Sequence, residues 1–202
     1  MYTRYFKEYS HVLGREMECK VYGHAGRPVL FIPCQDGRFF DFEDFHMADV
    51  FAPWIESGQV MVISIDTMDA ETWSGYGEAY SRIRRHEQWM CYIVDEVVPF
   101  IRDISGRGDI IAFGCSLGAT HAVNLFFRFP DHFTGLLALS GIYTAEYGFG
   151  GYMDAERKML VYLPEYLEEA SLMEEDSPVV CLRATFYEGD TPTHRDFLGA
   201  LM

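Results

Sequence analysis

The chain has 202 residues, of which 49% are hydrophobic and 16% aromatic, and this composition excludes an intrinsically disordered protein. Sixteen Lys and Arg residues stand against 31 Asp and Glu residues, and the net charge of −15 excludes a nucleic-acid partner because little remains to neutralise phosphates. The length fits one domain over residues 1–202. We predict no membrane association, since no apolar run reaches membrane-spanning length and the N-terminus lacks a signal peptide's apolar core.

Cysteine usage bears on the redox compartment and on metal binding. The five cysteines are scattered and none has CxxC spacing; they are Cys19, Cys34, Cys91, Cys115 and Cys181. An odd number without metal-ligand spacing favours reduced thiols. We therefore predict a cytoplasmic protein without a zinc site.

The N-terminal part of the chain predicts antiparallel strands. Residues 11–13 and 17–22 are candidate strands that flank a turn at Gly14 and Arg15. The continuous apolar run at residues 29–32 is typical of a strand buried on both faces of a sheet.

Further along, strands alternate with helices. The pattern predicts helices over 42–55, 80–104 and 119–129, and buried strands over 60–65, 109–113, 135–140 and 179–186. We expect the first helix to be interrupted before Pro53 and the second to kink or restart at Pro99. The alternation predicts an α/β fold with a mainly parallel sheet. Residues 141–177 break it and are a candidate lid or pocket wall.

The most informative motif is Gly114-Cys115-Ser116-Leu117-Gly118, a G-x-S-x-G pattern between a predicted strand and a predicted helix. This context is the one that a nucleophile elbow requires. A serine on a tight turn projects its hydroxyl from the sheet edge, and the helix N-terminus favours developing negative charge. The pattern therefore predicts Ser116 as a nucleophile; the alternative is a structural Gly/Ser turn.

An acyl-transfer enzyme of this kind also needs two backbone N–H groups that bind the oxyanion. The Leu117 amide is the candidate for one of them. The loop over residues 33–37 is the candidate for the other, through Gln35 or Cys34. The alternative for this loop is an ordinary strand-to-helix connection.

Several stretches resemble a known family. They are Ser116 in its GCSLG motif, Thr120–Asn124, Leu139–Tyr143, Arg38–Phe40 and Arg84–Gln88. Over roughly residues 5–153 the chain resembles the α/β-hydrolase branch related to esterase D, feruloyl esterases and mycolyltransferases. The resemblance implies an α/β-hydrolase three-layer sandwich with antiparallel N-terminal strands, a Ser-acid-His triad in that chain order, an acyl-enzyme and no cofactor.

The resemblance also assigns the other triad positions. Members of that family continue into an eighth strand followed by the catalytic histidine, so relative to them we expect the chain to be C-terminally truncated. Asp190 lies where the family has its acid, with Glu188 as the second candidate; the alternative for Asp190 is a helix cap. His194 has the right order and sheet edge for a base. The alternatives are His86 or no histidine at all.

Two classes of function follow. The first is a serine carboxylic-ester hydrolase acting on a small-molecule ester, or an acyltransferase that uses the same residues. The second is an impaired hydrolase that binds a ligand or partner without turnover. Without an eighth strand, the sheet offers an open edge that favours homo-oligomers.

Aromatic residues over 66–77, among them Trp73 and Tyr76, either line an acyl pocket or cover the core.

Overall fold

The computed structural model describes residues 1–142, 146–149 and 180–184. Its strands are β1 (Thr3–Ser10), β2 (Arg15–Tyr22), β3 (Arg27–Ile32), β4 (Val60–Ile65), β5 (Ile110–Cys115), β6 (Phe133–Gly141) and β7 (Val180–Ala184). Its helices are α1 (Asp41–Asp44), α2 (Met47–Glu56), α3 (Ala79–Tyr92), α4 (Val98–Ser105), α5 (Leu117–Arg128) and α6 (Glu146–Phe149). A π-helical turn (Ile93–Val97) joins α3 to α4, and a 3₁₀ turn (Asp69–Glu71) follows β4.

The described strands form one sheet in the order β1-β2-β4-β3-β5-β6-β7. β1 and β2 are antiparallel to each other, β2 is antiparallel to β4, and every pairing from β4 to β7 is parallel. The mainly parallel sheet with antiparallel N-terminal strands is therefore confirmed. Parallel strands bring their carboxyl ends to the same edge, and the loops that follow them meet there.

Helices cover both faces of the sheet, because alternate residues of a strand point to opposite sides. In β3, Leu30 and Ile32 pack in a cluster with residues of α3, α4 and α5. Val29 and Phe31 pack on the other face with residues of α1 and α2. All four side chains are buried, so β3 lies at the centre of the three predicted layers.

The N-terminal hairpin differs from its prediction, because residues 11–13 form the turn and β1 lies before them. The Glu96 carboxylate accepts hydrogen bonds from the amides of His11 and Val12, at 2.9 and 3.1 Å. The Ser10 hydroxyl and carbonyl accept from Leu13 and Gly14. These acceptors satisfy the turn's amides, and Glu96 is more than 80 residues away in sequence.

Pro53 differs from its prediction, whereas Pro99 lies where the second helical region restarts, as expected. The break in the first helical region comes at His46, whose φ of +58° ends the helical path between α1 and α2. Pro53 lies inside α2. The second helical region continues to Ser105, and the π-helical turn before α4 leaves Pro99 in the first turn of that helix. A proline in a first turn removes no intrahelical hydrogen bond, so no kink is required there.

Other predictions fall partly on residues that the structure does not describe. Of the candidate lid at residues 141–177, the described part comprises residues 141, 142 and 146–149. β7 confirms a strand within residues 179–186. In the described part of the chain, no helix is both long and apolar enough to cross a membrane.

Candidate active site

Ser116 stands on a strained turn between β5 and α5. Its φ of +55° and ψ of −126° are rare for a residue with a side chain. The Ser116 amide donates a hydrogen bond to the Leu139 carbonyl of β6 at 2.8 Å, so the neighbouring strand fixes the turn. The residue is only half-buried. Backbone strain of this kind, held by neighbouring structure, is typical of functional sites.

Two glycines allow α5 to begin directly against the sheet. A Cβ atom on Gly114 would collide with the backbone of Gly118, at the carbonyl group. A Cβ atom on Gly118 would collide with the carbonyl oxygens of Ile32 and Pro33 at the end of β3. The backbone of the first turn of α5 therefore lies directly against the backbone of both strands.

The Leu117 amide is the first N–H group of α5. In the part of the chain that the structure describes, no group accepts a hydrogen bond from this amide. Its side chain is fully buried with Trp73, Ile83 and Phe149. The packed side chain holds the backbone of this first turn in place while the amide stays available.

The loop after β3 forms a tight turn next to Ser116. Ile32 of β3 pairs with Gly114 of β5, so the two strands deliver their following residues to the same place. The Gly37 amide donates to the Cys34 carbonyl at 2.9 Å and closes the turn. We call residues 34–37 the oxyanion turn, after the role that we propose for it below. No described residue accepts a hydrogen bond from the amides of Cys34 or Gln35.

The oxyanion turn is anchored on both sides. The Thr67 amide and hydroxyl donate to the Gly37 carbonyl at 3.1 and 3.0 Å. On the outer side, the Tyr147 hydroxyl of α6 donates to the Gln35 side-chain carbonyl at 2.7 Å. Arg82 in turn donates to the Gly148 carbonyl at 2.8 Å, and this bond ties α6 to α3.

The cysteine beside Ser116 is a poor nucleophile. Burial raises the pKa of the Cys115 thiol to about 12, and the nearby Cys34 thiol contributes to the increase. Burial likewise raises the pKa of Cys34, with a further contribution from Asp41. The thiolate is the reactive form of cysteine, so the raised pKa values disfavour both thiols as nucleophiles near neutral pH. Ser116 is therefore the stronger candidate nucleophile of this turn.

The remaining candidate residues fall into two groups. Asp190, His194 and Glu188 lie outside the described residues. His86 is only 1% exposed, and burial lowers its pKa well below the ordinary value, with smaller effects from His121 and Arg128.

The aromatic residues proposed for an acyl pocket lie in different surroundings. Trp73 is 4% exposed and packs within the core, which supports the core-covering alternative for this residue. Tyr76 is fully exposed.

One buried polar pair was not predicted. His121 Nε2 donates to the Asp69 carboxylate at 2.9 Å, and the two side chains are 0% and 2% exposed. The partner of His121 lies 52 residues away in sequence and carries no local signal. The other Asp69 oxygen accepts the Asp36 amide at 3.2 Å.

Among the described residues, no three His, Cys, Asp or Glu side chains converge as metal ligands. The described residues place a half-buried serine at the N-terminus of α5. Backbone amides without a hydrogen-bond acceptor among the described residues lie in the first turn of α5 and in residues 34–37. Such an arrangement can attack a carbonyl carbon and stabilise the resulting oxyanion.

A known protein family shares sequence features with most of this chain. Residues 10–149 match a family model described as "Putative esterase". No curated protein is significantly similar to the chain in sequence.

Three solved structures illustrate the shared fold. The S-formylglutathione hydrolase from Staphylococcus aureus has a TM-score of 0.62 and 16% identity, over 89% of this chain and 75% of that one. The S-formylglutathione hydrolase from Agrobacterium tumefaciens has a TM-score of 0.63 and 16% identity, over 90% and 86%. A ferulic acid esterase has a TM-score of 0.62 and 13% identity, over 99% and 94%.

We predict that Gly118→Ala disrupts the turn, because the added methyl group collides with the carbonyls of Ile32 and Pro33. Urea unfolding should show a loss of stability of about 1–3 kcal/mol, as overpacking does. The matched control is Gly108→Ala, where the nearest atom to the added methyl group is 4.0 Å away, at Arg102. Equal midpoints for the two variants would contradict the close contact.

We also predict that Cys115 resists alkylation. Because its pKa is about 12, iodoacetamide should modify it slowly at pH 8 and faster only as the pH approaches that value. An ordinary thiol reaches its full rate above about pH 9. Mass-spectrometric mapping checks this, with the urea-unfolded protein as the control that should react readily. Rapid modification of Cys115 in the folded protein at pH 8 would show that its thiol is activated.

Proposed function

Because the chain belongs to the Putative esterase family, we propose that it is a serine hydrolase of carboxylic esters with Ser116 as nucleophile. The observation that carries this proposal is the geometry of Ser116. It occupies a strained strand-to-helix turn, half-buried, at the edge where parallel strands end. A side chain held this way is exposed to substrate without needing to move.

The proposed reaction has two steps. The Ser116 hydroxyl oxygen attacks the ester carbonyl carbon, the bond to the alcohol oxygen breaks, and an acyl-enzyme forms. Water then attacks the acyl-enzyme and releases the acid. The amides of Leu117 and Gln35 are the proposed oxyanion donors, with Cys34 as the alternative to Gln35. Their support is that no described residue already accepts their hydrogen bonds.

A base and an acid complete the proposal. His194 takes the Ser116 proton and returns it to the leaving alcohol, and Asp190 orients His194. Both residues follow β7, which runs parallel to β6 and pairs Ala184 with Gly141. The chain therefore leaves β7 at the same sheet edge that carries Ser116, which supports these assignments.

The substrate class is a small-molecule ester, and water is the proposed acyl acceptor. The similar structures are named for the hydrolysis of S-formylglutathione and for ferulic acid esterase activity, so small acyl esters suit the shared fold. We further propose a cytoplasmic location. The four cysteines of the described residues are free thiols, as is usual in a reducing compartment.

Ser116→Ala is the direct test. We expect the rate of 4-nitrophenyl acetate hydrolysis to fall by about 10⁴-fold or more, because the acyl-enzyme can no longer form. Ser81→Ala is the matched control, since Ser81 is exposed on α3 and should keep the full rate. Undiminished hydrolysis by Ser116→Ala would refute the assignment of the nucleophile.

The same assay tests the base. His194→Ala should also lower the rate by about 10⁴-fold, because members of a triad act as a unit. A full rate in this variant would mean that another group activates Ser116, and the assignment of His194 would fail.

A further inference from the structure

We propose that Asp69, held in place by His121, is a positioning residue for the oxyanion turn. This inference rests on the proposed function, because it concerns the donors that stabilise the oxyanion. Asp69 lies in the 3₁₀ turn after β4, and His121 lies in α5, five residues after Ser116. The pair connects the nucleophile helix to the loop that faces it.

The first contact fixes the conformation of the turn. Asp69 Oδ2 accepts a hydrogen bond from the Asp36 amide at 3.2 Å. Asp36 has a φ of +58°, a left-handed conformation that Asp adopts when hydrogen bonds hold it there. Loss of this acceptor would remove the hydrogen bond that holds the Asp36 amide in this conformation. The Asp69 carboxylate therefore stabilises the left-handed form.

The same contact selects which way a peptide group faces. The peptide between Gln35 and Asp36 presents its N–H to the carboxylate, and rotation of this peptide would present the Gln35 carbonyl instead. A negatively charged carboxylate attracts an N–H dipole and repels a C=O dipole. Asp69 thus holds one of two turn geometries. In that geometry the Asp36 amide donates its hydrogen bond to Asp69. Within the part of the chain that the structure describes, the amides of Cys34 and Gln35 remain free to donate to an oxyanion.

The second contact explains why the carboxylate stays where it is. A carboxylate that is 2% exposed needs strong hydrogen-bond partners, and His121 Nε2 donates to Asp69 Oδ1 at 2.9 Å. The Asp69 carbonyl also accepts the amides of Thr72 and Ser74, each at 2.9 Å. The Trp73 ring packs edge-on against His121, with centroids 5.6 Å apart. These contacts leave Asp69 little freedom to turn away from Asp36.

A carboxyl-free isostere tests the role of Asp69. Asp69→Leu preserves the branched shape but removes both acceptors. We expect kcat for 4-nitrophenyl acetate to fall about tenfold or more with little change in KM, since the loss of one whole oxyanion donor costs about 10²–10³-fold. Asp69→Asn keeps an acceptor for the Asp36 amide and should retain most of kcat. The matched control is Ser81→Ala, which lies exposed on α3 and should keep the wild-type kcat.

Two substitutions test the role of His121. A glutamine side chain places an N–H donor near the position of Nε2, so His121→Gln should preserve kcat. His121→Phe removes the donor and should lower kcat in the same way as Asp69→Leu. All rates are expressed per folded protein, measured by circular dichroism. A merely structural role would lower the amount of folded protein and leave kcat of the folded fraction unchanged, and that result would overturn the proposal.

An oxyanion mimic provides a second readout. A trifluoromethyl ketone forms a hemiketal oxyanion on the serine, so its inhibition constant should rise in Asp69→Leu by the same factor by which kcat/KM falls. The matched control is the alcohol in which the carbonyl group of this ketone is reduced. It forms no oxyanion on the serine, so its affinity should not change. Equal losses for the ketone and the alcohol would overturn the proposal, because they would indicate a general distortion of the site.

Hydrogen exchange separates this inference from the proposed function. If the wild-type protein cleaves no ester, the proposed function fails. The exchange rate of the Asp36 amide can still be measured, and it tests the role of Asp69 independently of catalysis. We expect Asp69→Leu to accelerate that exchange about tenfold or more and to leave the amides of β4 protected. Unchanged protection of the Asp36 amide would show that Asp69 does not hold the turn.

Discussion

The backbone contact between the start of α5 and the ends of β3 and β5 is the constraint on which the site depends. Gly114 and Gly118 have no side chains, and the space that a Cβ would need is filled by backbone carbonyl groups. This contact forces the chain to turn sharply at Ser116, which adopts a left-handed φ as a result. A larger residue at either glycine would push the helix away and relax the turn that presents the hydroxyl.

The same contact brings two loops together. Since β3 pairs with β5 in parallel, the oxyanion turn follows β3 at the point where Ser116 follows β5. Hydrogen bonds then hold the turn from the interior, through Asp69, and from the outside, through Tyr147. The interior bond depends on His121, which belongs to the helix that begins at the nucleophile. The serine and its proposed oxyanion donors are thus positioned by one connected set of contacts.

Much of this arrangement was predictable from the sequence, because hydrophobic periodicity is local. The strand before Ser116, the helix after it and the glycine spacing all follow from residues within a few positions of one another. The turn at residues 11–13 was wrongly predicted as a strand, because its acceptor, Glu96, comes from a distant helical segment. The Asp69–His121 pair was missed for the same reason. A contact between residues far apart in sequence becomes visible only after the sheet order is known.

The central claim is that Ser116 is an activated nucleophile. Fluorophosphonate labelling of the 202-residue chain, followed by peptide mapping of the adduct, tests it most directly. We predict stoichiometric labelling at Ser116, because phosphonylation requires a serine whose proton is removed and an oxyanion site that receives the phosphoryl oxygen. A folded protein that takes up no label would contradict the account and would favour a protein that binds its ligand without turnover.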